Sequence, residues 1–256
     1  MKTLVVGSMI LFLSIMPISG FAKIDPENIV GIWLFEEGKG DNTEDASGNG
    51  HDGEISGAKW VDGKFGKALE FAGAQFVTVA DAPELQIGDQ LTMQAWFFAK
   101  DIGDWRQIIA KSDEYLLRID PPQEGNKMSA FVKPGGSWEP RASAVVPEEE
   151  TWIHFAAVYD SGSKGSELKV FVDGVASGQS ARPGKIANTV NPVEFGRWGG
   201  GSYFVGIIDE VAIFNVALEE DDISSTMQKG LSKLLFGFPV NAKEKIATTW
   251  GSIKFE

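Results

Sequence analysis

The chain contains no cysteine. That excludes disulfides, thiolate metal sites, cysteine nucleophiles and attachment through a lipidated cysteine. Stability must come from the size of the core, or from a bound ion. Basic charge is also scarce, with 23 Lys and Arg against 36 Asp and Glu for a net charge of −13. So acidic a chain is unsuited to nucleic acid or anionic membrane surfaces, both of which are bound through basic patches. It does suit a soluble protein that attracts divalent cations. Amphipathic helical periodicity is nearly absent before residue 217, and the one long apolar run is confined to the N-terminus.

That run has the form of a secretory signal peptide over residues 1–22. Lys2 supplies the positive end, Leu4 to Ile15 the apolar stretch, and Gly20 and Ala22 the small residues before a cleavage point at Lys23. A membrane-spanning helix needs about 20 apolar residues, and Pro17, Ser19 and Gly20 end the run short of that. The expectation is export, to a secreted or periplasmic location, without membrane insertion after cleavage. An uncleaved anchor is the alternative reading. Residues 23–256 then number 234 and carry 22 basic against 36 acidic groups, a net −14. No Pro/Ser-rich linker divides residues 25–230, so one domain over 23–230 is expected, followed by an extension over 231–256.

Strand signals recur along that domain. Phe76–Val79, Leu91–Phe98, Gln107–Lys111, Tyr115–Asp120, Met128–Lys133, Ile153–Tyr159, Leu168–Val172, Val193–Arg197 and Val205–Phe214 all read as strands. In Leu91–Phe98 one face is apolar, while Thr92, Gln94, Trp96 and Phe98 on the other run from polar to aromatic. That predicts a strand passing from an exposed to a covered region. Asp173-Gly174 suits a two-residue hairpin with Val175–Gln179 as the return strand. Acids at Glu219 to Asp222 and a glycine at 230 mark a single short C-terminal helix. Trp33, Trp60, Trp96 and Trp152 lie in strand patterns and read as core.

The densest stretch is Gly31 to Gly73, where strand, acidic Gly/Asn loop, strand, turn and strand follow within one sandwich edge. It contains Trp33-x-Phe35-x-x-Gly38-x-Gly40, Asp45-x-Ser47-Gly48-Asn49-Gly50-x-x-Gly53 and Gly63-x-Phe65-Gly66-x-Ala68-Leu69-x-Phe71. Later come Leu91-Thr92-x-x-Ala95-Trp96, Trp152-x-His154-x-Ala156-x-Val158-Tyr159-Asp160, Val170-x-Val172-Asp173-Gly174 and Gly206-x-Ile208-Asp209-Glu210-Val211-x-Ile213-Phe214-Asn215. In this order, over roughly residues 29–228, the chain resembles the laminin-G-like jelly-roll domains of the concanavalin A-like lectin/glucanase superfamily. The resemblance implies an all-β, two-sheet antiparallel jelly-roll sandwich.

It also implies a structural Ca²⁺, with candidate ligands Asp45, Asn49 and Asp209 and Glu36 as a further one. The chemistry agrees, because Ca²⁺ takes six to eight oxygens and a Gly-rich loop exposes carbonyls. Asp209 lies among Ile207, Ile208 and Val211, where a carboxylate needs a metal or a specific donor. Asp45 can equally start an Asx-turn, and Asp209 can accept backbone N–H groups.

Catalytic signals are weak. Glucanases on related jelly rolls carry an E-x-D-x-x-E strand, which is absent, as is any G-x-S-x-G elbow. Glu148-Glu149-Glu150 reads as a solvated turn, and His51 and His154 are unconnected in sequence. Three tryptophans differ from those in strands: Trp105, Trp138 and Trp198 lie in Gly-, Asp- or Pro-rich stretches, with Arg106, Arg141 and Arg197 as candidate polar partners. Loop aromatics can stack on sugar rings or pack over the sandwich edge. The reading is a non-catalytic extracellular recognition module for a glycan. A protein–protein or matrix interaction domain, or a divergent polysaccharide-cleaving enzyme, would share the scaffold.

Overall fold

The computed structural model describes residues 24–236. The expected signal peptide and the extension beyond residue 236 lie outside the described residues. The first strands are β1 (Ile29–Trp33), β2 (Asn42–Thr43), β3 (Gly53–Ser56), β4 (Lys59–Asp62), β5 (Lys67–Ala72) and β6 (Phe76–Val79). Then come β7 (Gln90–Ala99), β8 (Arg106–Lys111), β9 (Tyr115–Ile119), β10 (Met128–Val132) and β11 (Ala142–Ser143). The last are β12 (Trp152–Asp160), β13 (Leu168–Val172), β14 (Val175–Ser180), β15 (Val193–Phe195) and β16 (Val205–Phe214), before helices α1 (Glu220–Lys229) and α2 (Leu231–Phe236).

They form two antiparallel sheets of eight strands each. The first runs β14-β13-β12-β7-β16-β5-β4 with β1 also on β16, and the second β11-β10-β9-β8-β15-β6-β3-β2. Most strands are discontiguous in sequence with a neighbour, as in a jelly roll, and the dense segment after Gly31 supplies β4 and β2 at a free edge of each sheet.

Alternation puts one side of every strand into the space between the sheets. On β9, Tyr115, Leu117 and Ile119 enter the core, while Leu116 and Arg118 point the other way. Trp33 on the first sheet meets Phe195 on the second edge to face, with ring centroids 4.9 Å apart, and its indole N–H donates to the His51 carbonyl at 2.8 Å. Full burial of such a side chain is worth roughly 1.5–3 kcal/mol, so the core alone offers what disulfides supply elsewhere.

A second apolar layer covers the outer face of the first sheet. Ile32, Val158, Phe171 and Phe214 meet Ile223 of α1 and Leu231 and Leu234 of α2. Helix α1 begins with a capping box between Glu219 and Asp222, and Gly230 ends it. The single expected helix is therefore followed at once by a second, whose leucines are buried.

This layer corrects the reading of β7. Thr92 and Gln94 are buried, not exposed, because the helical segment lies over them. The Thr92 hydroxyl donates to the Val216 carbonyl at 2.7 Å, and Thr226 of α1 donates to the Gln94 side chain at 3.2 Å. The four strand tryptophans also divide. Trp33 is core and Trp60 packs against it, but Trp96 and Trp152 sit on the opposite face of their strands, against His154 and Phe98.

One irregularity positions carboxylates. Along one side of β16, β5 pairs with Val205–Ile208 and β1 takes over at Val211–Phe214. Between them the register with β7 shifts from Asp209 to Ala212, and Glu210 adopts φ +46. Such bulges re-aim side chains.

Candidate functional site

The outer face of the second sheet carries two cross-strand rows. Glu194, Ala110, Leu116 and Phe131 stand in register across β15, β8, β9 and β10. Gln107, Arg118, Ser129 and Ser143 form the next row across β8, β9, β10 and β11. Nothing in the helical layer covers this face. Three loops reach it instead.

Trp138, from the loop after β10, packs edge to face on Phe131 with centroids 6.4 Å apart. Trp198, from the loop after β15, packs on Trp138 at 6.1 Å. Trp105 immediately precedes β8, is 38% exposed, and lies near enough to Glu124 for its side chain to help hold that carboxylate ionised. Arg118 and Arg141 lie over the Phe131 ring at 4.4 and 5.1 Å, and Lys133 over Trp138 at 5.4 Å. The four ligand-binding candidates, Trp105, Trp138, Trp198 and Arg141, thus converge on one face. Trp138 and Trp198 pack down and are partly buried, while Trp105 is exposed.

Sequence reasoning missed the groups that tie them together. Arg118 donates to Asp120 at 2.7 Å and to Glu124 at 2.7 Å. Arg141 contacts Asp120 at 3.0 Å, Glu139 at 3.1 Å and also Glu124. Burial alone would raise the Glu124 pKa, but the Arg141 hydrogen bond, the charges of both arginines and the nearby Trp105 side chain hold it below the usual carboxylate range. The available signal was the pair Arg118 and Asp120 at alternate positions of an otherwise apolar strand. Arg182, only 4% exposed, donates to the carbonyls of Val132, Ser137 and Glu139 and so anchors the loop bearing Trp138. Its isolated position in the sequence gave no signal. Gln107 is fully buried with neither amide atom partnered by the protein, and the Trp198 indole N–H is likewise unpartnered. Buried polar groups of that kind recruit water or a ligand.

The metal candidates separate into two groups. Asp45 accepts the backbone N–H groups of Ile32 (3.0 Å), Ser47 (3.0 Å) and His51 (3.1 Å). Asn49 donates its side-chain amide to the carbonyls of Ile29 and Val30 at 2.8 and 2.9 Å. Both fasten the acidic loop onto β1. Asp209 instead lies beside the turn at residues 63–66, fully buried, with one oxygen accepting the Phe65 N–H at 2.9 Å and the other unpartnered. Glu36 accepts from the Lys67 N–H at 3.3 Å. The turn admits both carboxylates because its ends are glycine: a Cβ on Gly63 would fall 2.6 Å from an Asp209 oxygen, and on Gly66 2.1 Å from Glu36.

Burial pushes the Asp209 pKa up to about 8, with the charges of Glu210 and Glu36 adding to it and the Phe65 N–H opposing. Burial raises Glu210 to about 7, and Glu36 contributes again. The charges of Glu36 and Glu210 thus act on Asp209, while Glu210 itself accepts the Leu231 N–H at 2.7 Å and Glu36 is offset by Lys67. Among the described residues, no group of three or more His, Cys, Asp or Glu side chains is placed to hold a metal ion. A cation between Glu36 and Asp209 would draw its remaining oxygens from backbone carbonyls.

The histidines do not form a catalytic set. His154 is buried with Nδ1 unpartnered against Trp96, and His51 Nε2 stands 4.0 Å from Glu84. Glu148, Glu149 and Glu150 are exposed in a turn, as expected.

The Laminin_G_3 family model, of the concanavalin A-like lectin/glucanases superfamily, matches residues 71–224. A search of curated proteins found no match. Among solved structures, domain 4 of AbnA, a GH43 extracellular arabinanase from Geobacillus stearothermophilus in complex with arabinotriose, aligns with a TM-score of 0.62 at 21% identity. The alignment covers 78% of this chain and 98% of that one. The binding domain of Paraclostridial Mosquitocidal Protein 1 aligns with a TM-score of 0.61 at 14% identity, over 79% of this chain and 52% of that one. Trypanosoma rangeli sialidase aligns at 0.60 and 15% identity, over 81% of this chain and 33% of that one. At such identities the likeness is one of fold.

Proposed function

This chain belongs to the Laminin_G_3 family of the concanavalin A-like lectin/glucanase superfamily, and we propose that it is an exported, non-catalytic module that binds carbohydrate on the outer face of its second sheet. The observation that carries this reading is the convergence of Trp105, Trp138, Trp198 and Arg141 there, from loops far apart in sequence. Aromatic rings present flat apolar surface to the C–H faces of a sugar, and the Gln107 amide and Trp198 N–H match its hydroxyls. Both groups are buried, so a ligand would reach them only after the covering residues move aside.

The same face argues against glycosidase chemistry. A general acid needs a raised pKa, whereas Asp120, Glu124 and Glu139 are paired with guanidinium groups. The raised carboxylates, Asp209 and Glu210, lie on the first sheet. Export rests on the signal-like residues 1–22.

We further propose a structural Ca²⁺ held by Glu36 and Asp209, supported by the unpartnered Asp209 oxygen and by the charges of Glu36 and Glu210 that act on it. Asp45 and Asn49, whose polar atoms serve the backbone, are assigned to the loop clasp in place of side-chain ligation. Bound calcium would neutralise the carboxylates and tie the 63–66 turn to β16.

A broad glycan array with the full chain, Trp138→Ala and Trp105→Ala tests the carbohydrate reading. Retention of a saccharide by the native chain and its loss in both variants is expected. Absence of any glycan signal in calcium-replete buffer, with a protein pull-down that disappears on removing residues 231–256, would favour a protein-interaction module instead.

A further inference from the structure

We propose that this face selects uncharged saccharides and rejects uronate- and sialate-type sugars, because its cations are already neutralised by its own carboxylates. The inference rests on the carbohydrate-binding reading above and concerns which ligand class the face accepts.

Recognition of an acidic sugar ordinarily relies on a guanidinium or ammonium free to pair with the sugar carboxylate, best of all bidentately. Five cations lie about the tryptophans, of which Arg182 is buried with its guanidinium donating to the carbonyls of Val132, Ser137 and Glu139. Arg118 is held by Asp120 and Glu124, and Arg141 by Asp120, Glu124 and Glu139. Arg197 is paired with Glu194, and Lys133 with Asp113 at 2.5 Å. Five carboxylates thus face five cations, leaving no positive charge in excess.

The flat faces of the guanidinium groups are engaged as well. Arg118 and Arg141 lie over Phe131, and Arg197 lies 3.4 Å over Phe76. Asp120 is fixed further by the Ser129 hydroxyl at 2.6 Å, so it has little freedom to release Arg118. An incoming carboxylate would therefore have to break an internal ion pair or settle beside Asp120 and Glu124. Beyond this face, the chain's net charge of −13 repels polyanionic glycans at longer range.

What the face exposes is uncharged: parts of three indole rings, while the unpartnered Trp198 N–H and Gln107 amide are buried. Uncovered, an amide with donor and acceptor both unpartnered pairs with hydroxyls, each of which donates and accepts. These groups match the C–H faces and hydroxyls of a neutral sugar.

Isothermal titration of the full chain against matched pairs tests the inference: galactan with polygalacturonate, and an unsubstituted xylan with a glucuronoxylan. At least tenfold tighter binding of the neutral member is expected. Glu124→Gln should leave Arg118 and Arg141 undercompensated and raise the ratio of acidic to neutral affinity at least fivefold, with the gain abolished by salt. If that variant fails to fold, Glu139→Gln, at a more exposed pair, should shift the ratio in the same direction. Equal or tighter binding of the acidic members by the native chain would overturn the selectivity while leaving the carbohydrate reading standing. Binding of neither kind, nor of any glycan on the array, would remove both.

Discussion

Asp209 gives the sharpest test of the proposed calcium site. Its carboxyl is fully buried, and one oxygen has no partner. Burial, then the neighbouring charges, moves its pKa from 3.8 to about 8. Without a cation the buried carboxyl must take up a proton at neutral pH, which costs the folded state on the order of 4 kcal/mol, at about 1.4 kcal/mol for each of the roughly three units between its unfolded value and pH 7. In chelator the folded chain should therefore hold Asp209 neutral. Asp209→Asn, which needs no proton, should then be more stable than the native chain in chelator, by up to about 4 kcal/mol. Calcium narrows that difference. A ligand at one hundred times its dissociation constant stabilises the folded state by about 2.7 kcal/mol. For a domain of this size each kcal/mol corresponds to roughly 2–4 °C in Tm. The native Tm should rise by about 5–10 °C between excess EGTA and millimolar calcium, and that of Asp209→Asn should rise by far less. Thermal unfolding followed by circular dichroism reads all four values. A native Tm indifferent to calcium, or an Asp209→Asn chain that keeps the full rise, would refute the argument.

Two other positions give independent outcomes. Burial depresses the His154 pKa from 6.5 to about 3, so between these values the unfolded chain binds a proton that the folded chain does not. Its contribution is intact above pH 6.5 and is lost as pH falls, at about 1.4 kcal/mol per unit; urea denaturation of His154→Gln at several pH values should show a correspondingly shallower acid limb, and an unchanged limb would contradict the assignment. Arg182→Met should leave the Val132, Ser137 and Glu139 carbonyls without their donor, of which only the first is buried, and cost about 1–3 kcal/mol. Because those carbonyls belong to the loop bearing Trp138, it should also weaken glycan binding, and Arg182→Lys should not restore it, since one ammonium cannot reproduce a guanidinium fork. Binding unaffected by Arg182→Met at a temperature where the variant is folded would separate the loop anchor from the site.

The parts of the fold legible in the sequence are those specified locally. Phe76–Val79, Leu168–Val172 and Val205–Phe214 occur as strands with the expected bounds. Their apolar content and their Gly, Asn and Asp boundaries are contained within a few residues. What packs on a sheet's outer side is not local information. Thr92 and Gln94 look solvent-facing in their own strand, and only the arrival of α1 more than a hundred residues later turns them into buried hydrogen-bonding partners.

The two candidate sites show the same division. Trp105, Trp138 and Trp198 were recognisable as unusual because each is a large apolar residue in a turn-forming stretch. Their meeting depends on register. Antiparallel pairing of β8 with β15 puts the start of one strand beside the end of the other, bringing the approaches of Trp105 and Trp198 to one end of the sheet. β10 runs the other way relative to β9, so the Trp138 loop leaves from the opposite end and must fold back across Phe131 to touch Trp198. Asp209 was identifiable as a costly carboxylate among apolar neighbours, but its partners were expected in the Asp45 loop. The handover of β16 from β5 to β1 places them differently: the bulge turns Asp209 toward the 63–66 turn and Glu210 toward the start of α2, while Asp45 remains with the backbone of β1. The acidic segment after Gly31 thus performs two separable tasks. Asp45 and Asn49 fasten the loop through the β1 backbone, whereas Glu36 and Asp209 both accept from the backbone of the 63–67 segment, where the proposed calcium would sit. Removing calcium should accordingly loosen the 63–66 turn and β16 without releasing the Asp45 clasp. Hydrogen exchange at the Phe65 amide, which Asp209 accepts, and at the His51 amide, which Asp45 accepts, would show one responding to EGTA and the other not.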